Sequence, residues 1–261
     1  MQLILEKIRT PAEMPRISRA RLLKMLYKSL NSCTTTVIHG RAGTGKTLLA
    51  ADFARLCGRH VAWYKVDASD SDLRIFFQYL IESVRGQRPS FGCEALQRFV
   101  EAATLEDIPL LAEAFVYELL ERGGDPLLIV IDDLHLVYDA EWVVPFFRRM
   151  LPLLPDDAHL LITGRSLPPA PLWRMRSKQT LCVIEESALA FTPHEARKLF
   201  DSYGLSEWQA SAALEETRGR AAALDRLGCL LSASGKPSAE SPIAPGERLR
   251  KRGLQHAHGH P

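Results

Sequence analysis

The stretch Gly40-Arg41-Ala42-Gly43-Thr44-Gly45-Lys46-Thr47 constrains this chain more than any other. It has the spacing glycine, four residues, glycine-lysine-threonine, which is a phosphate-binding loop when a strand precedes it and a helix follows. Both flanks are present. Thr35-Thr36-Val37-Ile38 is β-branched and reads as a short buried strand, and Leu48 to Ala54 favours helix. Glycines let the backbone turn several N–H groups towards one anion, and the helix behind adds its positive end. On this reading Lys46 reaches the β- and γ-phosphates of a nucleotide, and the Thr47 hydroxyl holds Mg²⁺. The candidate nucleotide-binding set is Gly40, Arg41, Ala42, Gly43, Thr44, Gly45, Lys46, Thr47 and Leu48. The bland alternative is a glycine-rich turn.

A second motif strengthens the first. Leu127-Leu128-Ile129-Val130-Ile131 is a continuous apolar run, the pattern of a strand buried on both faces of a parallel sheet, and Asp132-Asp133 follows directly. Acidic residues at such a strand end lie in the crevice where open α/β sheets bind ligands. Asp132 fits a magnesium-side carboxylate, and Asp133 is placed to orient or deprotonate a water attacking the γ-phosphate. An acidic turn after a strand is the alternative. His159 to Thr163 reads as another strand, with Gly164-Arg165-Ser166 leaving its end. Arg165 either reaches the same crevice with its planar donor fork or is a surface arginine before the proline-rich Leu167-Pro168-Pro169-Ala170-Pro171.

The remaining chain supplies alternating elements. Pro11 and Pro15 mark residues 1–16 as irregular, and Ser18 is read as the cap of a helix carrying Leu22, Leu23, Leu26 and Leu30. His60 to Val66 is a strand, Asp67 to Asp72 supplies caps, and Leu73, Phe76, Phe77, Leu80, Ile81 and Val84 form one helical stripe. Further helices are expected near 93–103, 107–122 and around Trp142 to Met150, with a fifth strand at Leu181 to Glu185. Thr192-Pro193-His194-Glu195 is a capping box with proline at the first helical position. Ser206 caps a helix expected to run through Leu214, and a last helix spans about 220–231.

Composition excludes several classes. A net charge of +2 over 261 residues does not suggest a nucleic-acid-binding face. The five cysteines have no zinc-ligand spacing and are expected as free thiols in the cytoplasm. No apolar run has the length of a membrane span, and the N-terminus lacks a signal-peptide pattern. From Ser232 onward Ser, Gly, Pro and Ala dominate, followed by basic residues and alternating histidines, and a disordered tail is expected over 232–261.

The alternation of strands and helices implies an α/β, doubly wound parallel sheet. Beyond that, the chain resembles the nucleotide-binding region of the STAND-class P-loop ATPases, in the branch of MalT-like and large LuxR-type transcriptional regulators. The likeness is carried by Pro15 to Leu23, the phosphate loop, Val61 to Asp67, Val130 to His135, Leu161 to Ser166 and Leu189 to Ala196. It implies an ASCE/AAA-like five-stranded parallel sheet of order 5-1-4-3-2 with a small C-terminal helical lid. The division implied is 17–190 for the ATPase domain and 191–231 for the lid. Arg165 becomes a γ-phosphate sensor, and Ile17 and Arg19 lie near the adenine. Relatives carry a Gly-Trp-Pro type of motif where this chain has Gly219-Arg220-Ala221, so weaker lid closure is expected. They also continue into winged-helix, repeat and helix-turn-helix domains. None is visible here, which suggests a truncated product or a stand-alone module without its own DNA-binding domain.

The function expected is an ATP-binding, slowly hydrolysing nucleotide switch of a signal-transduction or transcription regulator. ATP, ADP and Mg²⁺ are its ligands, and it self-associates in the ATP state. The alternatives are a stand-alone AAA-like ATPase acting on nucleic acid or protein, and a non-hydrolysing remnant that only binds.

Overall fold

Successive side chains of a strand point to opposite faces of its sheet, and here both faces are apolar. The computed structural model describes residues 3–178 and 180–234 and shows five parallel strands. They are β1 (Thr35–His39), β2 (His60–Lys65), β3 (Leu127–Asp132), β4 (Ala158–Gly164) and β5 (Leu181–Ile184). Their order is β2-β3-β4-β1-β5, which read from the other edge is 5-1-4-3-2. Leu127, Ile129 and Ile131 of β3 enter the core on one face, while Leu128 and Val130 enter the core on the other. Every residue of β3 and β4 is buried, as the continuous apolar run of β3 requires; β4 buries His159 and Thr163 along with its apolar residues.

Helices cover both faces. The first half supplies α1 (Ala20–Leu30), α2 (Lys46–Leu56), α3 (Leu73–Arg85), α4 (Glu94–Ala102), α5 (Ile108–Glu121) and α6 (Val143–Met150). Then come two short helices, α7 (Ala170–Trp173) and α8 (Glu186–Leu189), followed by α9 (Pro193–Asp201), α10 (Glu207–Thr217) and α11 (Ala221–Ser234). The α3, α5 and α6 face is knit by Phe76, Phe77, Phe115, Trp142, Phe146 and Phe147. Their ring pairs are edge-on or tilted, with centroids 4.6 to 6.4 Å apart. The α1 and α2 face is lined by Leu22, Leu26, Leu49 and Phe53. Helices α9 to α11 share a separate small core of Leu199, Phe200, Ala210, Ala213 and Leu224. Among the described residues no helix is long and apolar enough to cross a membrane.

Several local expectations need correction. Residues 1–16 are not wholly irregular, because Leu5–Ile8 forms a 3-10 turn whose Lys7 is buried against Asp67 and Asp70 at 2.6 and 2.7 Å. Ser18 does not cap α1. Its hydroxyl donates instead to Asp52 Oδ1 at 3.1 Å, and Arg19 occupies the cap position without a side-chain bond. Helix α10 runs to Thr217, three residues past Leu214, and α11 runs to Ser234, inside the stretch expected to be tail. The rest of that tail, with its histidines, lies outside the described residues. The Thr192 capping box forms as expected, and Ser206 caps α10 as expected, with Gln209 completing a capping box there as well.

One buried polar chain makes the fold sensitive to acid. His159 on β4 is 2% exposed, with Nδ1 3.1 Å from Cys33 O and Nε2 2.8 Å from Thr36 Oγ1. A carbonyl only accepts, so Nδ1 carries the proton and Nε2 accepts from Thr36, whose oxygen in turn meets Ser29 Oγ at 2.6 Å. Burial, with Arg59 nearby, lowers the His159 pKa to about 4. An unfolded histidine titrates near 6.5, so the unfolded chain binds the proton first as pH falls. Stability is therefore unaffected above about pH 7 and falls progressively towards pH 4. The expected loss is about 2 kcal/mol by pH 5 and about 3 kcal/mol by pH 4. Urea unfolding at pH 7 and pH 5 should show this drop in the parent and a much flatter response in His159→Gln. Equal pH slopes in the two proteins would refute the assignment.

Candidate nucleotide site

The loop between β1 and α2 owes its shape to two glycines. Gly43 and Gly45 have φ of +78° and +85°, a region that side chains with a Cβ rarely adopt. Space is short as well. A Cβ on Gly43 would lie 3.2 Å from Ala222 Cβ, and one on Gly45 would lie 3.2 Å from Ala221 Cβ and Arg19 Nη2. Thr44 Oγ1 closes the turn by donating to Arg41 O at 2.9 Å. Lys46 Nζ donates to Gly40 O at 2.7 Å and Arg41 O at 3.1 Å, so the ammonium stands at the centre of the loop. Burial lowers the Lys46 pKa, opposed by the charge of Asp133 and reinforced by Arg165.

Parallel pairing brings the acidic residues to this loop. β3 and β4 are in register with Ile131 beside Ile162, so Asp132 and Thr163 meet at the adjacent strand ends. Asp132 is fully buried. It accepts from Thr163 Oγ1 at 2.6 Å and from Thr47 Oγ1 at 3.0 and 3.1 Å. Burial pushes its carboxyl above the ordinary carboxylate range, while those hydroxyls favour the ionised form. Asp133 adopts the left-handed region at φ 61°, and its N–H donates to Thr163 Oγ1 at 3.0 Å. That turn points Asp133 away from β3 and into the cleft. Thr163 thus positions both acids, and single-residue reasoning had not singled it out.

A cleft of about 440 Å³ joins these groups. Lys46, Thr47, Leu48, Asp133 and Arg165 line it, as do Ile17 and Arg19 from the segment before α1. Ala42, Gly43 and Gly45 also face it, whereas Gly40 and Thr44 shape the loop from behind. Arg41 turns outward, and its guanidinium and its backbone N–H both donate to Glu186 at 2.7 and 2.8 Å. Arg19 is committed to structure, donating to Leu189 O at 2.7 Å with its guanidinium 4.8 Å from the Phe191 ring centroid. Burial lowers the Arg19 pKa to about 10.

A model of the AAA ATPase domain family matches residues 17–163. The chain belongs to that family. It is similar to the HTH-type transcriptional regulator MalT of Serratia proteamaculans, 32% identical over 98% of this chain and 28% of the relative. MalT of Vibrio cholerae is 29% identical over 71% of this chain and 20% of the relative. The chain spans about a quarter of the length of these curated relatives. Among solved structures, a Signal Transduction ATPase with Numerous Domains (STAND) protein with a tetratricopeptide repeat sensor from Pyrococcus horikoshii shares the fold. Its TM-score is 0.50 at 19% identity, over 83% of this chain and 30% of that one. A Walker-type ATPase of Pyrococcus abyssi gives 0.53 at 14% identity, over 87% and 72%. The MalT-like, STAND-class resemblance read from the motifs therefore stands.

An AAA domain implies a nucleotide and usually Mg²⁺, and the donor set fits both. Mg²⁺ takes oxygen ligands and is commonly held by one or two carboxylates plus phosphates. Here one hydroxyl and one buried carboxylate, Thr47 and Asp132, are already in contact. Among the described residues no group of three or more His, Cys, Asp or Glu forms an all-protein metal cage.

The helices after the sheet close one wall of the AAA cleft. Arg220 donates through Nε and Nη2 to Ala42 O, and Ala222 N donates to Gly43 O at 2.9 Å. Gly219, at φ +73°, accepts from Phe191 N at 2.8 Å, and a Cβ there would lie 2.9 Å from the Phe191 N and O. An arginine and one backbone bond, from Ala222 N–H to Gly43 O, attach the start of α11 to the phosphate loop. The sequence showed the substitution but not its partner, because Ala42 and Arg220 are 178 residues apart.

Proposed function

We propose that this AAA domain binds ATP with Mg²⁺, hydrolyses it slowly and acts as the nucleotide switch of a signal-transduction or transcription regulator of the MalT type. The observation that carries the reading is the convergence of Lys46, Thr47, Asp133 and Arg165 on one cleft whose far wall is α11. The loop N–H groups and the Lys46 ammonium bind the phosphate chain. Thr47 and Asp132 hold the metal ion, which neutralises charge on the phosphates. Asp133 orients the attacking water and takes its proton, and Arg165 meets the γ-phosphate with its guanidinium. We further assign 17–190 as the ATPase core and 191–231 as the lid, with self-association in the ATP state.

The switch needs a contact that differs between nucleotides, because a ligand shifts an equilibrium only through differential affinity. Only ATP carries the group that Arg165 reads. ATP with Mg²⁺ is expected to raise the mass of the protein in solution, measured by light scattering after size exclusion, while ADP leaves it unchanged. Identical masses with both nucleotides would exclude the switch.

A further inference from the structure

The hydrolysis proposed above makes Asp133 its base, and a base works only when its carboxylate is held in place. The backbone of Asp133 is fixed by its N–H bond to Thr163 Oγ1, but among the described residues no hydrogen bond holds its side chain. One basic group stands in range. His135 Nδ1 lies 3.7 Å from Asp133 Oδ1, whereas neither Lys46 nor Arg165 forms an ion pair with that carboxylate.

Local structure puts the imidazole there. The left-handed backbone of Asp133 starts a 3-10 turn over Leu134–Val137, closed by Leu136 N donating to Asp133 O at 3.1 Å. Leu134 and Val137, three residues apart and so on one side of the turn, enter the core. His135 packs on the end of β4, where a Cβ on Gly164 would lie 3.4 Å from His135 Cβ. Its Nδ1 is sealed from solvent and has no hydrogen-bond partner. Burial lowers the His135 pKa, opposed by the charge of Asp133 and reinforced by Arg165 and Lys46, so the ring is neutral with a single proton. A carboxylate only accepts, which places that proton on Nδ1. A buried N–H left unpaired is costly, and the Asp133 carboxylate is only about 0.8 Å beyond an ordinary N–H···O distance.

We propose that His135 is the positioning residue of Asp133: its Nδ1–H donates to Oδ1 and so turns Oδ2 towards the water that attacks the γ-phosphate. The inference rests on the nucleotide reading above. Bonds of this kind are commonly long before substrate is in place and tighten in the reacting complex. In the step itself the water oxygen bonds to the γ-phosphorus, and the bond from that phosphorus to the β–γ bridging oxygen breaks. ADP leaves, and Asp133 Oδ2 takes the proton of the water. His135 keeps its own proton throughout, so it acts through Asp133 and not on the nucleotide.

Phosphate release and ATP affinity of the full chain with Mg²⁺, measured for the parent and for His135 variants, test this. His135→Leu removes the donor and should slow turnover about ten- to a hundredfold, the loss expected when a reacting group is misplaced by up to about 1 Å, with the ATP Kd unchanged. His135→Asn puts an amide N–H₂ at the Nδ1 position and should restore most of the rate. His135→Gln carries its amide out to the Nε2 position and should stay slow. Adding His135→Leu to Asp133→Asn should cost nothing more, because the two residues act as one unit. If His135→Leu does not fold, the contrast between the Asn and Gln variants still decides. Equal rates in those two would overturn the proposal, as would a full further loss in the double variant or a His135→Leu defect that lies in ATP affinity. A parent that binds ATP without hydrolysing it would overturn this inference and leave the binding site standing. A parent that does not bind ATP would defeat the nucleotide reading with it.

Discussion

Lys46→Ala should lose nucleotide binding while keeping the fold. In the parent, saturating ATP or ADP should raise the melting temperature, since a ligand at about 100 times its Kd adds about 2.7 kcal/mol to the folded state. In the variant the shift should vanish. Removing the charged partner of a buried, hydrogen-bonded anion costs about 4 kcal/mol, roughly a thousand-fold in affinity. The effect on the ligand-free protein is much smaller. Lys46 carries a desolvation cost in the fold, seen in the lowering of its pKa by burial, and truncation removes that cost. Against this, Gly40 O loses its side-chain donor, while Arg41 O keeps the Thr44 hydroxyl. The two terms oppose each other, so the melting temperature without nucleotide should stay near that of the parent. A variant that unfolds, or one that keeps the full nucleotide shift, would show that the loop does not work as assigned.

What could be read from the sequence follows from how local each cause is. The strand, the glycine loop and the helix of the phosphate site lie within one continuous stretch, so residue types alone place Lys46 at the loop centre and Thr47 on the helix. The run ending at Asp132 was legible for the same reason, since full burial of β3 needs an unbroken apolar pattern. Sheet order was available only through the family resemblance, because no short-range pattern says which parallel strands are neighbours. Thr163 was invisible in its role: its importance arises from the register of β3 against β4, which puts its hydroxyl between Asp132 and the Asp133 N–H. Ser18 shows the opposite error. A serine two residues before a helix satisfies the local rule for a cap, yet a buried carboxylate across the fold competes for its hydroxyl and wins. Lys7 and Arg220 are further examples, both polar residues in unremarkable segments whose partners lie 63 and 178 positions away.

Asp133→Asn separates binding from chemistry and should slow ATP hydrolysis by about a hundred- to ten-thousand-fold, the range lost with a positioned general base. The substitution suits the backbone. Asp133 stands at φ 61°, where asparagine is among the few residues at ease, whereas alanine there would add strain of about 1 kcal/mol. The bond from the Asp133 backbone N–H to Thr163 Oγ1 does not involve the Asp133 side chain and survives, so Asp132 and Thr47 keep their places. What the variant loses is the carboxylate that faces the cleft and takes a proton. The neighbouring His135 does not replace it. Its Nδ1 is buried, lies 3.7 Å from Asp133 Oδ1 and has no hydrogen-bond partner, and burial lowers its pKa. The variant should therefore retain the ATP-induced melting shift of the parent and any ATP-dependent assembly, now locked on because turnover has stopped. Phosphate release measured over hours, alongside the melting shift, checks both halves. Parental turnover in Asp133→Asn would move the general base to another residue, and loss of the melting shift would mean that Asp133 serves to bind the nucleotide.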